Sequence, residues 1–299
     1  MKSKLVGEIK EFLRGEGFEL CQYSHGCFDL AAKRDELLLL KILQNVGSLQ
    51  REQARDLKVL SRSLSATPFL LGERTRRENL EEGAVYQRFG LPVLTVNAFK
   101  SLMHGEYPER FRSRGGFFGK IKPERLRDLR KREGMTQKEL AERIGVSQKS
   151  ISEHESGLER MVYSMIEALE TVLQDEIGRD VDPFEMKVEV SRKNNKDRDQ
   201  VEENLEKIGF KINYTKRAPP QIIAREENTV MSRKEGNKKV LERITPVLQR
   251  FSEVSETPAF LITEEGSNSE KLPKLSEEEL TKIENSKELI KIIKERKED

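Results

Sequence analysis

Gln148, Lys149, Ser152 and Glu153 stand at i, i+1, i+4 and i+5, a spacing that places all four on one side of a single short helix. Glutamine bonds adenine in bidentate fashion, lysine reaches guanine or a phosphate, and glutamate accepts from the cytosine amino group. Their common chemistry is the recognition of base edges, not bond breaking. A second set, Cys21, His25 and Cys27 in CQYSHGC, invites a metal reading. Zinc wants four ligands and a closer cysteine spacing, so this set falls short, and the cysteines are expected to be buried as small apolar side chains.

The elements that must position the first set are legible around it. Pro123 opens an apolar-periodic segment in which Leu126 and Leu129 share a face, and Gly134 closes it. Thr136 and Glu139 form a T-x-x-E capping box for a second helix that buries Leu140, Ala141 and Ile144 and stops at Gly145. Ser147 caps a third helix, Gln148–Ser156, anchored by Ile151. Ser164 and Glu167 spell another capping box, opening a helix with Ile166, Leu169, Val172 and Leu173 inward. Helix, glycine-bearing turn, helix is the geometry that inserts a recognition helix into a major groove. Between Arg110 and Arg132 ten Lys or Arg residues face only two acids, Glu124 and Asp128. Arg112, Arg114, Lys120 and Lys122 in this run are expected to meet phosphates. TQKELAERIGVSQKSISEHESG resembles the phage-repressor (XRE/Cro-like) helix-turn-helix family position by position. The resemblance implies that Gln137, with Lys138 and Ser147, touches the DNA backbone while Gln148, Lys149, Ser152 and Glu153 face bases. His154 departs from the family, which favours a larger apolar or aromatic residue there.

Residues 1–106 read as alternating helices and strands. The pattern predicts a helix from Leu5 to Leu13, strands Phe18–Tyr23, Phe28–Ala32 and Glu36–Leu43, helix Gln50–Leu64, and strands Pro68–Leu71, Ala84–Phe89 and Val93–Thr95. Helix Val96–His104 closes this part. A helix, a Gly-Phe strand, an Asp-bearing strand and an apolar strand ending in Lys resemble the restriction-endonuclease-like fold of archaeal Holliday-junction resolvases. In that family an Asp and a Glu-x-Lys hold Mg²⁺ and activate water. Asp29 and Lys41 match the first and last of these positions, but Leu39 stands at the glutamate position. A hard divalent ion needs oxygen ligands that leucine cannot supply. Glu36 is off by strand parity, and Glu8 remains as an upstream acid. The expectation is a nuclease-like scaffold without a complete metal site.

Residues 182–299 open with a short alternation at Met186, Val188 and Val190 and a polar linker, SRKNNKDRDQ. ENLEKIGFKI from 203 then mirrors EFLRGEGFEL from 11, and FSEVSETPAFLIT from 251 mirrors SRSLSATPFLLG from 61, offsets of 192 and 190. By the first offset Gln221, Met231 and Arg233 fall where Asp29, Leu39 and Lys41 stand. The last 24 residues, from Ser276, read as one closing helix.

The expected architecture is therefore an α+β multidomain chain. A mixed α/β nuclease-like domain (1–106) precedes a basic junction with an all-α helix-turn-helix domain (107–181), and a second, divergent nuclease-like α/β domain (182–299) follows. This order resembles a family of archaeal predicted transcriptional regulators over nearly the full chain, most tellingly at RGGFFGKIKPERLRDLR (114–130) and DLAAKRDELLLLKIL (29–43). The resemblance implies a DNA-binding regulator. The basic run and the third helix make a sequence-specific binder of double-stranded DNA the expectation. The missing carboxylates leave no catalytic residue and no cofactor expected, and repressor-type units working in pairs make a homodimer expected. The alternatives are a structure-specific Mg-dependent nuclease, or an adaptor that binds a component of the transcription machinery. No apolar run reaches membrane-spanning length and the first residues lack a signal-peptide core, so a cytoplasmic protein without membrane contact is expected.

Overall fold

The computed structural model describes residues 2–24, 26–190, 200–234, 236, 238–263 and 272–298. His25 of the cysteine cluster and all but the last residue of the polar linker 191–200 lie outside the described residues.

The chain begins with α1 (Lys2–Gly15), β1 (Glu19–Gln22), β2 (Leu30–Lys33), β3 (Leu37–Ile42), α2 (Arg51–Leu64) and β4 (Thr67–Leu71). Next come β5 (Ala84–Arg88), β6 (Leu91–Leu94), α3 (Val96–Met103), β7 (Arg110–Ser113) and β8 (Gly116–Ile121). The middle holds α4 (Pro123–Arg132), α5 (Gln137–Ile144), α6 (Gln148–Glu155), β9 (Arg160–Val162), α7 (Tyr163–Leu173) and β10 (Gly178–Arg179). After it follow α8 (Gln200–Lys207), β11 (Lys211–Tyr214), β12 (Ile222–Arg225), β13 (Thr229–Lys234) and α9 (Lys238–Val254). The last elements are β14 (Ala259–Thr263), β15 (Lys274–Ser276), α10 (Glu277–Lys282) and α11 (Ser286–Glu298). Two compact units result. Met1–Leu71, Phe89–Leu91 and Lys187–Asp299 form one; Gly72–Arg88 and Pro92–Met186 form the other. These units divide the chain at other places than residues 106 and 181.

The first unit contains the same motif twice. α1–β1–β2–β3–α2–β4 and α8–β11–β12–β13–α9–β14 share one order of elements. Their antiparallel registers coincide at an offset of 192: Glu19 pairs with Lys33 as Lys211 with Arg225, and Leu30 with Leu40 as Ile222 with Ser232. On the following parallel strand Pro68 stands beside Leu39, while Ala259 stands beside Met231, an offset of 191 rather than 190. β3 is buried along its whole length, as an apolar strand with partners on both sides must be.

The two copies pack reciprocally. α2 of the first contacts β11 and β12 of the second, and α9 of the second contacts β1 and β2 of the first. Phe28 and Phe251 meet at 5.1 Å between ring centroids. Polar groups lock the seam. The fully buried Asp56 accepts from the Lys216 and Arg217 backbone N–H groups at 2.6 and 2.7 Å, and the Cys27 N–H donates to the Arg217 carbonyl at 2.6 Å. Gly26 has no room for a side chain here, since a Cβ would lie 2.6 Å from that carbonyl. Arg250 reaches back to the Leu20 carbonyl at 3.1 Å. Cys21 and Cys27 are buried free thiols, and burial pushes the Cys21 thiol up to about 12, which makes it chemically quiet.

The second unit is built on a sheet edge of β6, β5, β7 and β8, with β10 and β9 on opposite sides of β8. The helix-turn-helix core lies against it and comprises Ile121, Leu126, Leu129, Leu140, Ile151, Met161, Ile166 and Leu169 among others. Several sequence expectations are corrected. The basic junction is a β-hairpin, β7–β8, turning at Arg114 and Gly115. α7 starts at Tyr163 with Val162 as a cap that makes no side-chain bond, because β9 already pairs residues 160–162 with β8; the Ser164–Glu167 capping box does not form. The closing segment is a strand and two helices, broken between Lys282 and Ser286 after Ile283 takes an extended conformation.

Asp56→Ala leaves two backbone donors at the seam without their acceptor, and is expected to destabilise the chain by roughly 2–3 kcal/mol. Urea denaturation measures this, and hydrogen exchange should show the loss of protection at Lys216 and Arg217.

Candidate nucleic-acid interface

The geometry of the helix-turn-helix follows from local capping. Thr136 Oγ1 accepts from the Glu139 N–H at 3.2 Å and the Glu139 carboxylate accepts from the Thr136 N–H at 2.7 Å. Gly145 ends α5 at φ 74°, a left-handed conformation that glycine adopts without strain. Ser147 then caps α6, its hydroxyl accepting from the Ser150 N–H at 3.1 Å. Gln148, Lys149, Ser152 and Glu153 share one open surface depression with Gln137 and Ser156. The structure thus brings the four base-facing candidates together with one backbone-contact candidate from α5. Lys149 and Glu153 lie 3.6 Å apart and both are exposed. Lys138 projects along α5 toward Glu142 at 3.8 Å, and the Ser147 hydroxyl is engaged as the cap.

Beneath this surface lies a buried ion pair. Arg130 donates from Nε to Glu155 Oε1 at 2.6 Å and from Nη2 to Oε2 at 2.9 Å, and Gln137 Nε2 donates to Oε2 at 2.9 Å. Arg130 also donates to the Met135 carbonyl at 2.7 Å in the α4–α5 turn, and Arg127 donates to the Glu155 carbonyl. One carboxylate therefore holds α4, α5 and α6 at once. Burial works against its charge, yet the donors Arg130 and Gln137 outweigh it and hold the carboxyl below its ordinary 4.5. His154 is buried, with Nδ1 2.7 Å from the Leu158 carbonyl, and so fixes the turn after α6. Its ring both fills a core position and bonds the chain, which explains the departure from an apolar residue.

The basic run is less free in space than along the sequence. Arg110 pairs with Glu81 at 3.1 Å, Arg125 and Arg132 share Asp175 at 2.7 and 3.0 Å, and Arg130 is buried. Arg112 lies over the Phe117 ring at 4.9 Å with Glu78 at 3.8 Å. Acids distant in sequence thus fold onto a stretch that holds only two of its own. Arg114 and Lys122 are exposed, and Lys120 stands on the face of the hairpin opposite Arg112.

The nuclease-like positions are buried. Asp29 is buried and accepts from Lys2 Nζ at 2.7 Å and from the Ile42 N–H at 2.8 Å, with Lys41 Nζ at 3.3 Å. Lys41 also donates to the Gly26 carbonyl at 2.7 Å. Burial pulls the Lys41 ammonium down and Asp29 opposes that shift. Leu39 is fully buried between them in sequence. The second copy repeats this pattern with different chemistry: Gln221 Oε1 accepts from the Lys234 N–H at 3.1 Å, and Arg233 donates to the Ala218 carbonyl at 3.4 Å, each bond displaced by 192 residues. Among the described residues no three His, Cys, Asp or Glu side chains cluster to hold a metal ion.

A model of the PD-(D/E)XK superfamily domain matches residues 2–108, and a helix-turn-helix domain model matches residues 124–174. Three archaeal relatives each carry the name "Putative HTH-type transcriptional regulatory protein". That of Pyrococcus furiosus is 34% identical over 98% of each chain. That of Methanothermobacter thermautotrophicus is 33% identical over 99% of this chain and 97% of its own. That of Methanocaldococcus jannaschii is 31% identical over 98% and 97%. The chain belongs to this archaeal family. No solved structure matches it.

In this family member the sequence reading missed Arg130 and Glu155, although both carried a signal. Leu126, Leu129 and Arg130 stand at i, i+3 and i+4, as do Ile151, His154 and Glu155, so each charge lies on its helix's buried stripe. Two opposite charges on facing stripes are expected to pair. Glu155→Gln strands the Arg130 guanidinium and should destabilise the helix-turn-helix by about 3 kcal/mol or more. Because the folded carboxyl titrates below 4.5, its stabilisation is complete above that pH and is lost as pH falls through the lower folded value. Acid titration of the parent chain, followed by hydrogen exchange in α4–α6, should show that loss, and Glu155→Gln should remove it.

Proposed function

We propose that the chain is a cytoplasmic, sequence-specific double-stranded DNA-binding transcriptional regulator that reads the major groove with α6. The observation that carries this reading is the surface cluster of Gln148, Lys149, Ser152 and Glu153 at the start of α6, mounted on the buried Arg130–Glu155 pair that Gln137 joins from the surface. Side chains that discriminate bases need a rigid helix beneath them, and the network supplies it. Gln137, Lys138, Ser147, Arg112, Arg114, Lys120 and Lys122 are the proposed phosphate contacts, which position the protein without reading sequence. None of the described helices is long and apolar enough to cross a membrane.

One reader per chain implies a second copy for a two-fold operator, so the working form is a homodimer whose α6 helices lie about 34 Å apart. The nuclease-like copies already cover α2 and α9 with each other's strands, which leaves the dimer contact to other surfaces. The chain does not act as a nuclease in this reading. The Asp29 carboxylate is bound by two ammonium groups and a backbone donor, and Gln221 offers no carboxylate at the equivalent position.

Gln148→Ala and Lys149→Ala should each lower specific binding by roughly 1–3 kcal/mol and leave nonspecific binding nearly unchanged. Competition gel shifts against random DNA measure both; undiminished selectivity in both variants would remove α6 as the reader. Incubation with branched DNA and Mg²⁺ or Mn²⁺ should give no cleavage, and cleavage abolished by Asp29→Ala would establish the nuclease reading instead.

A further inference from the structure

The solvent-side face of the β-sheet in the second unit carries two cross-strand rows, of which only Lys120 is among the proposed duplex phosphate contacts. In the first row Arg179 on β10 stands opposite Lys120 on β8, and Lys120 opposite Arg160 on β9. In the second row Phe111 on β7 stands opposite Phe118 on β8, and Phe118 opposite Val162 on β9. The opposite face of β8 is the packed one, since Gly119 and Ile121 lie against Ile166 and the helical core. Phe111 and Phe118 remain half-exposed, and Val162 is 48% exposed. Like charges placed directly opposite one another across strands repel. Yet none of Arg179, Lys120 and Arg160 meets a carboxylate within ion-pair distance among the described residues; the one bond of the three is from Arg160 to Ser113 Oγ at 3.0 Å. The neighbouring acids Glu159 and Asp180 stand out of register with the row. Three aligned cations without a counter-charge form a surface complementary to a polyanion.

The aromatic row specifies what kind of polyanion. Phe111 and Phe118 are stacked at 6.2 Å, and the Arg160 guanidinium lies 4.0 Å above Phe118 and 5.5 Å from Phe111. A flat guanidinium held over flat rings is a stacking platform for a nucleobase. In a duplex each base already has neighbours on both faces, so only an unpaired base can use such a platform. Cations for phosphates beside planes for bases is the pattern by which sheet surfaces hold single strands. We propose that this face, centred on Arg160, Phe118, Phe111 and Arg179, is a binding site for single-stranded nucleic acid, separate from the duplex-reading surface of α6.

The test is fluorescence anisotropy of the full chain with labelled oligothymidylate, oligouridylate and a mixed-sequence duplex. Both single strands are expected to bind, and the tighter of the two identifies the source as DNA or RNA. Phe118→Leu keeps the apolar packing but removes the ring, and the pair Arg160→Glu with Arg179→Glu reverses exposed charge. Each is expected to weaken single-strand binding roughly tenfold or more, with a melting temperature no lower than that of the parent for the charge variant. The proposal is overturned if neither oligonucleotide binds, if the variants bind single strands as well as the parent does, or if they lose duplex and single strands in equal measure.

Discussion

A carboxylate removed from water must be met by donors on every side, and Glu155 meets that demand by drawing on three helices at once. Its two oxygens take Arg130 from α4 and Gln137 from α5, and its own backbone carbonyl takes Arg127. The angle between the helices is thereby set by hydrogen-bond geometry as well as by the apolar contacts of Leu126, Leu140 and Ile151. An apolar core tolerates small slides between helices; a bidentate guanidinium–carboxylate pair does not. The exposed start of α6 inherits that definition, which is what a surface for discriminating bases requires.

The flanking sequence meets a different constraint. Two copies of one α/β motif have become each other's packing partners, with Asp56 gripping the 216–217 turn and Phe28 lying against Phe251. The positions where a nuclease would hold a metal share one bonding pattern in the two copies. In the first copy Lys41 donates to the Gly26 carbonyl, and in the second Arg233 donates to the Ala218 carbonyl. Both carbonyls belong to the turns that meet at the seam, so in each copy a cationic side chain fastens a loop. Lys2 pairs with the other oxygen of Asp29, its Nζ 2.7 Å from Oδ1.

Much of this organisation was legible in the residues. Capping boxes, glycine stops and apolar stripes located α4, α5 and α6 to within a residue, because each is a local device whose energy is decided within four or five positions. The repeat was legible because Gly-Phe and Thr-Pro recur in order. What escaped was set by distant partners. The β7–β8 hairpin forms because β5, β9 and β10 offer strand edges, and its basic composition obscured a β-pattern of alternating Arg and Phe. Arg110 and Arg125 read as free cations because Glu81 and Asp175 lie 29 and 50 residues away. The Ser164–Glu167 capping box failed for a related reason, strand pairing at Val162 having already started the helix upstream. Local chemistry was readable, whereas the competition between local and tertiary partners was not.

The claim that α6 reads sequence is tested most directly by enriching bound sites from a pool of random duplex DNA with the full chain. The account predicts a defined motif, repeated in inverted orientation with half-sites one helical turn or a multiple of it apart. A pool that after successive rounds shows no motif beyond base composition would contradict it.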